Sequence, residues 1–444
     1  MKTEISLRQI NKLAIPALIS GVSEPILSLT DAAIVGNIEI NSTESLAAVG
    51  IVTTFLSMLI WVLGQTRSAI SSLVSQYLGA NNLEAIKSLP AQAIFLITSL
   101  SVLIIIATYP FAENIFKLYN ASNLILDYSV DYYKIRVFGF PFTLFTIAIF
   151  GTFRGLQNTY YPMLIAIVGT IANIVLDIIL VYGIDGYAPA MNIKGAAYAS
   201  VIAQFIMALL SVYYLLRKTE ISLKVTLPFN KEIKNFALMI LNLFVRTLAL
   251  NVTLYYASAF STSYGKQYIA AYTIAINLWF LGAFIVDGYS SAGNILSGKL
   301  YGQKDYKALV QLSNKLIKYG IFLGIVIAII GGLLYYPIGN IFTDDPEVLN
   351  EFYNVFWIIL AMQPFCALAF IFDGVFKGLG KMKYLRNVLL FSTFIIFVPI
   401  LFWLDSLDYK LYAIFIAITF WIIARGIPLI IKFRRQFLPL SQKT

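Results

Sequence analysis

The sequence predicts an all-α membrane protein, with twelve transmembrane helices in two pseudo-symmetric six-helix bundles. Three observations predict it. Of 444 residues, 59% are hydrophobic and 12% charged, with a mean hydropathy of +0.80. That is about half the share of charge in a typical soluble domain. Apolar stretches recur, each long enough to cross about 30 Å of hydrocarbon. The chain also matches itself at a constant shift of 223 positions, which places Gly79 on Gly302.

The spans read, in order, 13–36, 46–78, 90–112, 129–153, 161–183, 195–216, 235–260, 268–298, 312–336, 352–376, 386–404 and 410–431. The second and eighth are overlong, so they are expected to tilt, bend or project. Between the sixth and seventh lies Arg217–Lys234, polar, with five basic residues and Pro228. It reads as a cytoplasmic linker, 217–234, between an N-lobe, 1–216, and a C-lobe, 235–444. With the N-terminus inside, the inner segments hold 21 Lys and Arg and the outer ones 6. The positive-inside bias then places both termini in the cytoplasm.

The repeat is ungapped from Ala47-Ala48 to Leu78-Gly79, matching Ala270-Ala271 to Tyr301-Gly302. The same shift returns at Pro141 and Pro364, at Gly151 and Gly374, and at Phe153-Arg154-Gly155-Leu156 and Phe376-Lys377-Gly378-Leu379. Each half holds six spans, an even number. The halves therefore share one orientation about an axis along the membrane normal, an arrangement suited to alternating access.

Composition excludes several functions. There is no histidine, and Cys366 is the single cysteine. A disulfide framework and a cysteine-based metal site are ruled out, as are most zinc sites. Any proton chemistry must use carboxyl groups. No nucleophile elbow or paired metal-ligand motif is present, so no enzyme is expected. A net charge of +10 is read as topological, not as a nucleic-acid footprint.

The most informative stretch is Ser23 to Gly36. It carries Glu24, Pro25 and Asp31 inside an apolar span. An ionisable group there costs at least about 2–3 kcal/mol, so it needs a partner, a wet cavity or a function. Seven residues apart, the two acids share a helix face. Pro25 removes a backbone donor and allows a bend.

The chain resembles the MATE (multidrug and toxic compound extrusion) family, and its DinF-like branch most. Four motifs carry the resemblance: Glu24-Pro25-(x)5-Asp31-(x)4-Gly36; Arg154-Gly155-Leu156-Gln157-Asn158-Thr159-Tyr160-Tyr161-Pro162; Val286-Asp287-Gly288-Tyr289; and Phe372-Asp373-Gly374-Val375-Phe376-(x)-Gly378. The resemblance implies a plasma (inner) membrane exporter of organic, often cationic, small molecules, driven by inward flow of protons or sodium. No cofactor and no nucleic-acid partner are expected, and a monomer is expected. In the proton-coupled branch the ion site is an aspartate in span one with an Asn/Asp pair in span five and a hydroxyl in span six. These positions match Asp31, Asn173, Asp177 and Ser200.

The C-lobe departs from its twin. The shift carries Asp31 to Leu254, Asn173 to Ile396 and Asp177 to Ile400. Span seven lacks the glutamate of other branches and offers Asn242, Arg246 and Asn251. Asn294 stands where DinF-like sequences often carry a glutamate. Proton coupling in the N-lobe is therefore expected, with sodium coupling as the alternative. Glu24 reads either as a relay or as a backbone-bonding side chain. Asp287 and Asp373, with Asn251, read as cavity residues for a cationic cargo; local pairing with Arg246 or lysines is the other reading of the two acids. A lipid-linked oligosaccharide flippase of a related fold is the rival function.

Overall fold

The computed structural model describes residues 5–184 and 189–442; the side chain of Glu24 lies outside the described part. The helices are α1 (Leu7–Val35), α2 (Ser42–Leu63), α3 (Thr66–Gly79), α4 (Leu89–Thr108), α5 (Ala112–Leu118), α6 (Asn123–Arg136), α7 (Gly139–Gly155), α8 (Tyr160–Tyr182) and α9 (Asn192–Lys218). They continue as α10 (Ile233–Tyr264), α11 (Lys266–Gly302), α12 (Tyr306–Leu333), α13 (Tyr335–Phe342), α14 (Pro346–Gly378), α15 (Met382–Phe391), α16 (Val398–Asp405) and α17 (Leu411–Ser441). Eleven stretches among the described residues are long and apolar enough to cross a membrane. The pair α6 and α7, bent by 48°, makes a twelfth. Each of the twelve expected spans has its counterpart.

The two overlong spans behave differently. The second breaks after Leu63 into α2 and α3, where the Thr66 hydroxyl donates to the Leu63 carbonyl at 2.6 Å. The eighth is one continuous helix, α11, of 37 residues. In the eleventh, a π-helical turn at Ser392–Phe397 separates α15 from α16. Pro399 follows at once, and such a turn accommodates a carbonyl that proline cannot satisfy.

The described chain divides into two compact units. One, here the N-unit, holds residues 19–74 and 82–240; the other, the C-unit, holds residues 5–18, 75–81 and 241–442. Within the N-unit, the segment joining α9 to α10 is tied down by Gln92. That buried side chain donates to the Thr226 carbonyl and accepts from the Asn230 amide, both at 2.8 Å.

The internal repeat is also a repeat of packing. In the N-unit, a Cβ on Gly151 would stand 2.7 Å from the Arg67 carbonyl oxygen. In the C-unit, a Cβ on Gly374 would stand 2.0 Å from that of Ser290. Both glycines and both partners are related by 223 positions, so each pair is one contact made twice. Only a residue without a side chain permits two helices to approach this closely.

The ends of α3 and α11 cross with the same economy inside the C-unit. A Cβ on Gly79 would meet the Lys299 carbonyl oxygen at 2.0 Å, and one on Gly302 that of Gln76 at 1.9 Å. These two contacts exchange under the repeat shift, which makes the crossing two-fold symmetric. Replacing Gly302 by Ala is expected to lower stability by about 1–3 kcal/mol, as overpacking does. Gly332→Ala, with nothing within 4 Å of the new methyl, should leave it unchanged. Thermal unfolding of the detergent-solubilised protein followed by tryptophan fluorescence checks both.

Candidate ion-coupling site

Helix α8 places the first group of functional side chains. Its buried positions Ala166, Gly169, Asn173, Asp177 and Val181 recur every three or four residues, so they form one stripe. Small residues on α9 line the facing surface: Ala196, Ala199, Ser200 and Ala203 are all buried. Without them the polar side chains of the two helices would be held too far apart to meet.

Asp31 on α1 meets that stripe. The Ser200 hydroxyl donates to Asp31 Oδ2 at 2.8 Å, and Asn173 Nδ2 donates to Ser200 Oγ at 3.4 Å. Asp177 is fully buried, and its carboxyl interacts electrostatically with that of Asp31. The Tyr182 hydroxyl donates to the Ile34 carbonyl at 3.0 Å, which fixes the end of α8 against the end of α1. All four residues expected from sequence are thus brought together. Asp31 Oδ1, Asn173 Oδ1 and both oxygens of Asp177 are buried with no hydrogen-bond donor among the described residues. The two carboxyl groups therefore have neutral neighbours and each other.

One cation stands near this group. Arg136, the last residue of α6, acts electrostatically on Asp177, but its Nη1 donates to Gln204 Oε1 at 2.9 Å. It forms no ion pair within 4 Å among the described residues. Sequence reading counted Arg136 with the outer topological charges and overlooked Gln204. The available signal was Gln204's place four residues after Ser200, on the same face of α9.

Pro25 lies within α1, which is assigned as one helix from Leu7 to Val35. The backbone of Glu24 is part of that helix, and its side chain is outside the described residues.

The C-unit carries a second charged group. Asp373 on α14 is paired with three cations: Arg246 of α10, Lys377 at 3.0 Å one turn along, and Arg425 of α17 at 3.8 Å. Asp373 is therefore neutralised locally and offers no free charge to a cationic cargo. Asp287 is exposed on α11 and acts electrostatically on Lys377. Asn251 is half-buried and donates to its own helix, to the Thr247 carbonyl at 2.9 Å. Arg425 is stacked on aromatic faces, 4.8 Å from the Phe370 ring centre and 5.3 Å from that of Trp421.

The MatE family model matches residues 16–179 and 239–403. The DNA damage-inducible protein F of Escherichia coli (strain K12) is 25% identical over 433 residues, covering 96% of this chain and 91% of its own. Protein DETOXIFICATION 42 of Arabidopsis thaliana is 25% identical over 452 residues, covering 89% and 85%. A crystal structure described as MATE in the bent conformation superposes with a TM-score of 0.89 over 98% of this chain and 96% of that one, at 20% identity, which shows the shared fold. A multi-pass integral membrane protein with this fold and this family match over most of its length is a member of the MATE family of membrane transporters.

Proposed function

We propose that the chain exports small organic molecules from the cytoplasm in exchange for protons, and that Asp31 and Asp177 carry the proton. The observation that supports this reading is the burial of two mutually interacting carboxyl groups whose free oxygens have no hydrogen-bond partner among the described residues. A carboxylate has no donor of its own, so a proton is what either group would need to bond the other. Two ionised carboxylates side by side, buried and without a paired cation, repel one another. One proton on the pair removes the repulsion and supplies the donor. Ser200 and Asn173 hold Asp31 in place through neutral hydrogen bonds, which leave the charge of the pair free to change.

Proton binding and release at this pair would bias α1 between two arrangements. With one proton the pair keeps a single negative charge, held by neutral hydrogen bonds, and α1 packs against α8 and α9. With none, the doubled charge favours a wetter setting. Pro25, six residues before Asp31, deprives the Gly21 carbonyl of its helical donor and gives α1 a place to flex. Export in this direction is supported by relatives such as the probable multidrug resistance protein NorM of Thermotoga maritima. The excess of Lys and Arg on the inner segments supports a plasma-membrane orientation with both termini cytoplasmic, and the protein is read as acting as a monomer.

One observation favours a second reading. Four buried oxygens, Asp31 Oδ1, Asn173 Oδ1 and both of Asp177, lack donors. A single proton satisfies only part of this set. A sodium ion, which takes oxygen ligands, would engage more of them.

The two readings separate in proteoliposomes loaded with a fluorescent organic probe. A pH gradient alone should drive probe movement in the wild type, and a sodium gradient alone should not; the reverse result selects sodium. Asp31→Asn should reduce gradient-driven movement by about tenfold or more. Ser200→Ala removes one hydrogen bond to Asp31, of about 1–2 kcal/mol. It should slow transport several-fold while the purified protein keeps its elution profile.

A further inference from the structure

We infer that the basic patch where the start of α15 meets the end of α17 binds the phosphate of an anionic phospholipid headgroup. Its centre is Lys381 and Lys432, with Lys383 and Arg435 beside them.

The first ground is how the two lysines are held. Lys381, just before α15, has its ammonium 5.2 Å from the ring centre of Phe437 on α17. Lys432 of α17 has its own 6.0 Å from the ring centre of Tyr384 on α15. Each cation thus rests on a ring of the other segment, drawn by the negative ring face. The Tyr384 hydroxyl donates to the Pro428 carbonyl at 3.3 Å, and Lys381 donates to Gln436. These seats bring two like charges close enough to act on each other. Neither lysine forms an ion pair within 4 Å among the described residues. The sequence holds no acid in 374–404 and none after Asp408. Asp305 precedes Tyr306, which packs on Phe437, but its carboxylate accepts from the Ala308 amide and caps α12. A phosphate between the lysines would relieve their repulsion and take charge-assisted hydrogen bonds from both.

The second ground is depth, and it selects a lipid over a soluble anion. Lys432 lies 21 residues beyond Leu411, the first residue of α17, a rise of about 31 Å at about 1.5 Å per residue. The hydrocarbon core is about 30 Å thick, so α17 brings Lys432 and Arg435 out at the level of the lipid phosphates. Phe420, Ile427 and Ile431 are 50%, 48% and 45% exposed. Seven and four residues apart, they share one face of α17, and Arg435 continues that face four residues on. Acyl chains lying along this apolar stripe carry their headgroup to Arg435 and Lys432. A soluble anion has no use for the stripe.

The third ground is the twin position in the other half. The repeat shift carries Lys381, Lys383, Lys432 and Arg435 back to Asn158, Tyr160, Leu209 and Val212. The aromatic packing there is the same: ring centres of Phe153 and Tyr161 stand 5.6 Å apart, those of Phe376 and Tyr384 5.5 Å. The scaffold is repeated and the four cations are not, so the fold does not require them.

The test is lipid retention by the purified full chain. The protein is equilibrated with equal phosphatidylglycerol and phosphatidylcholine in mixed micelles, separated by gel filtration, and its retained lipids are quantified by mass spectrometry. The wild type should retain phosphatidylglycerol about fivefold over phosphatidylcholine. A Lys383→Gln, Lys432→Gln, Arg435→Gln triple variant should lose that preference. Arg217→Gln, Lys224→Gln, Lys231→Gln, which removes the same charge from exposed positions of the linker region, should keep it. Lys432→Gln alone should at least halve the preference, which keeps the test open if the first triple variant does not fold. Inorganic phosphate, compared with sodium chloride at equal ionic strength, should not displace the lipid. No preference in the wild type, an undiminished one in folded Lys432→Gln or in the folded patch variant, an equal loss in the linker variant, or displacement by inorganic phosphate would each overturn the assignment.

Discussion

Charge buried in a membrane-spanning fold must be compensated, and the two units meet that constraint in opposite ways. In the N-unit, Asp31 and Asp177 lie against each other with Ser200 and Asn173 as neutral neighbours. Among the described residues no cation forms an ion pair with them, and Arg136 acts on Asp177 only from a distance, so a small mobile cation is the natural compensator. In the C-unit, Asp373 is surrounded by three fixed cations. There the balancing charges are side chains of the fold. One scaffold thus carries one carboxyl pair without a paired cation among the described residues and one carboxylate with three. That difference gives the molecule its chemistry.

The scaffold itself is nearly symmetric. Gly151 meets Arg67 as Gly374 meets Ser290, and the α3–α11 crossing is built from exchanged copies of one contact. Close helix contacts of this kind leave little freedom for adjustment, because the interior is packed to crystal-like density. Changes of function are then confined to side chains that face away from the contact. Replacing Leu254, Ile396 and Ile400 of one half by Asp31, Asn173 and Asp177 in the other is such a change. It alters charge and hydrogen bonding, and the backbone differs there too: Ile396 lies in the π-helical turn, whereas Asn173 lies in the regular helix α8.

Much of this was legible in the sequence because it is local. Hydropathy located all twelve spans, and the four-residue spacing of Asn173 and Asp177 put both on the stripe that α8 buries. The shift of 223 was visible because paired glycines and prolines recur in order. What was not legible depends on which helices become neighbours. Arg136 sits at the end of α6 and was counted as a loop charge, yet folding brings it to Gln204 beside Asp177. Asp373 was open between cargo contact and pairing. Its partners come from α10 and α17 as well as its own helix, and no periodicity within α14 encodes them. The hydrogen bond of Asn251 was not legible either: its amide donates to the carbonyl one turn back, at Thr247, as polar side chains in helices readily do.

The central claim is that the Asp31–Asp177 pair holds an exchangeable proton. Infrared difference spectroscopy of the purified protein across a pH titration reports it most directly, through the carbonyl stretch of a protonated carboxyl. The account predicts such a band that is lost on alkalinisation in the wild type and is missing from the Asp31→Asn, Asp177→Asn double variant. A band unchanged in the folded double variant, or no carboxyl band in the wild type at any pH, would contradict it.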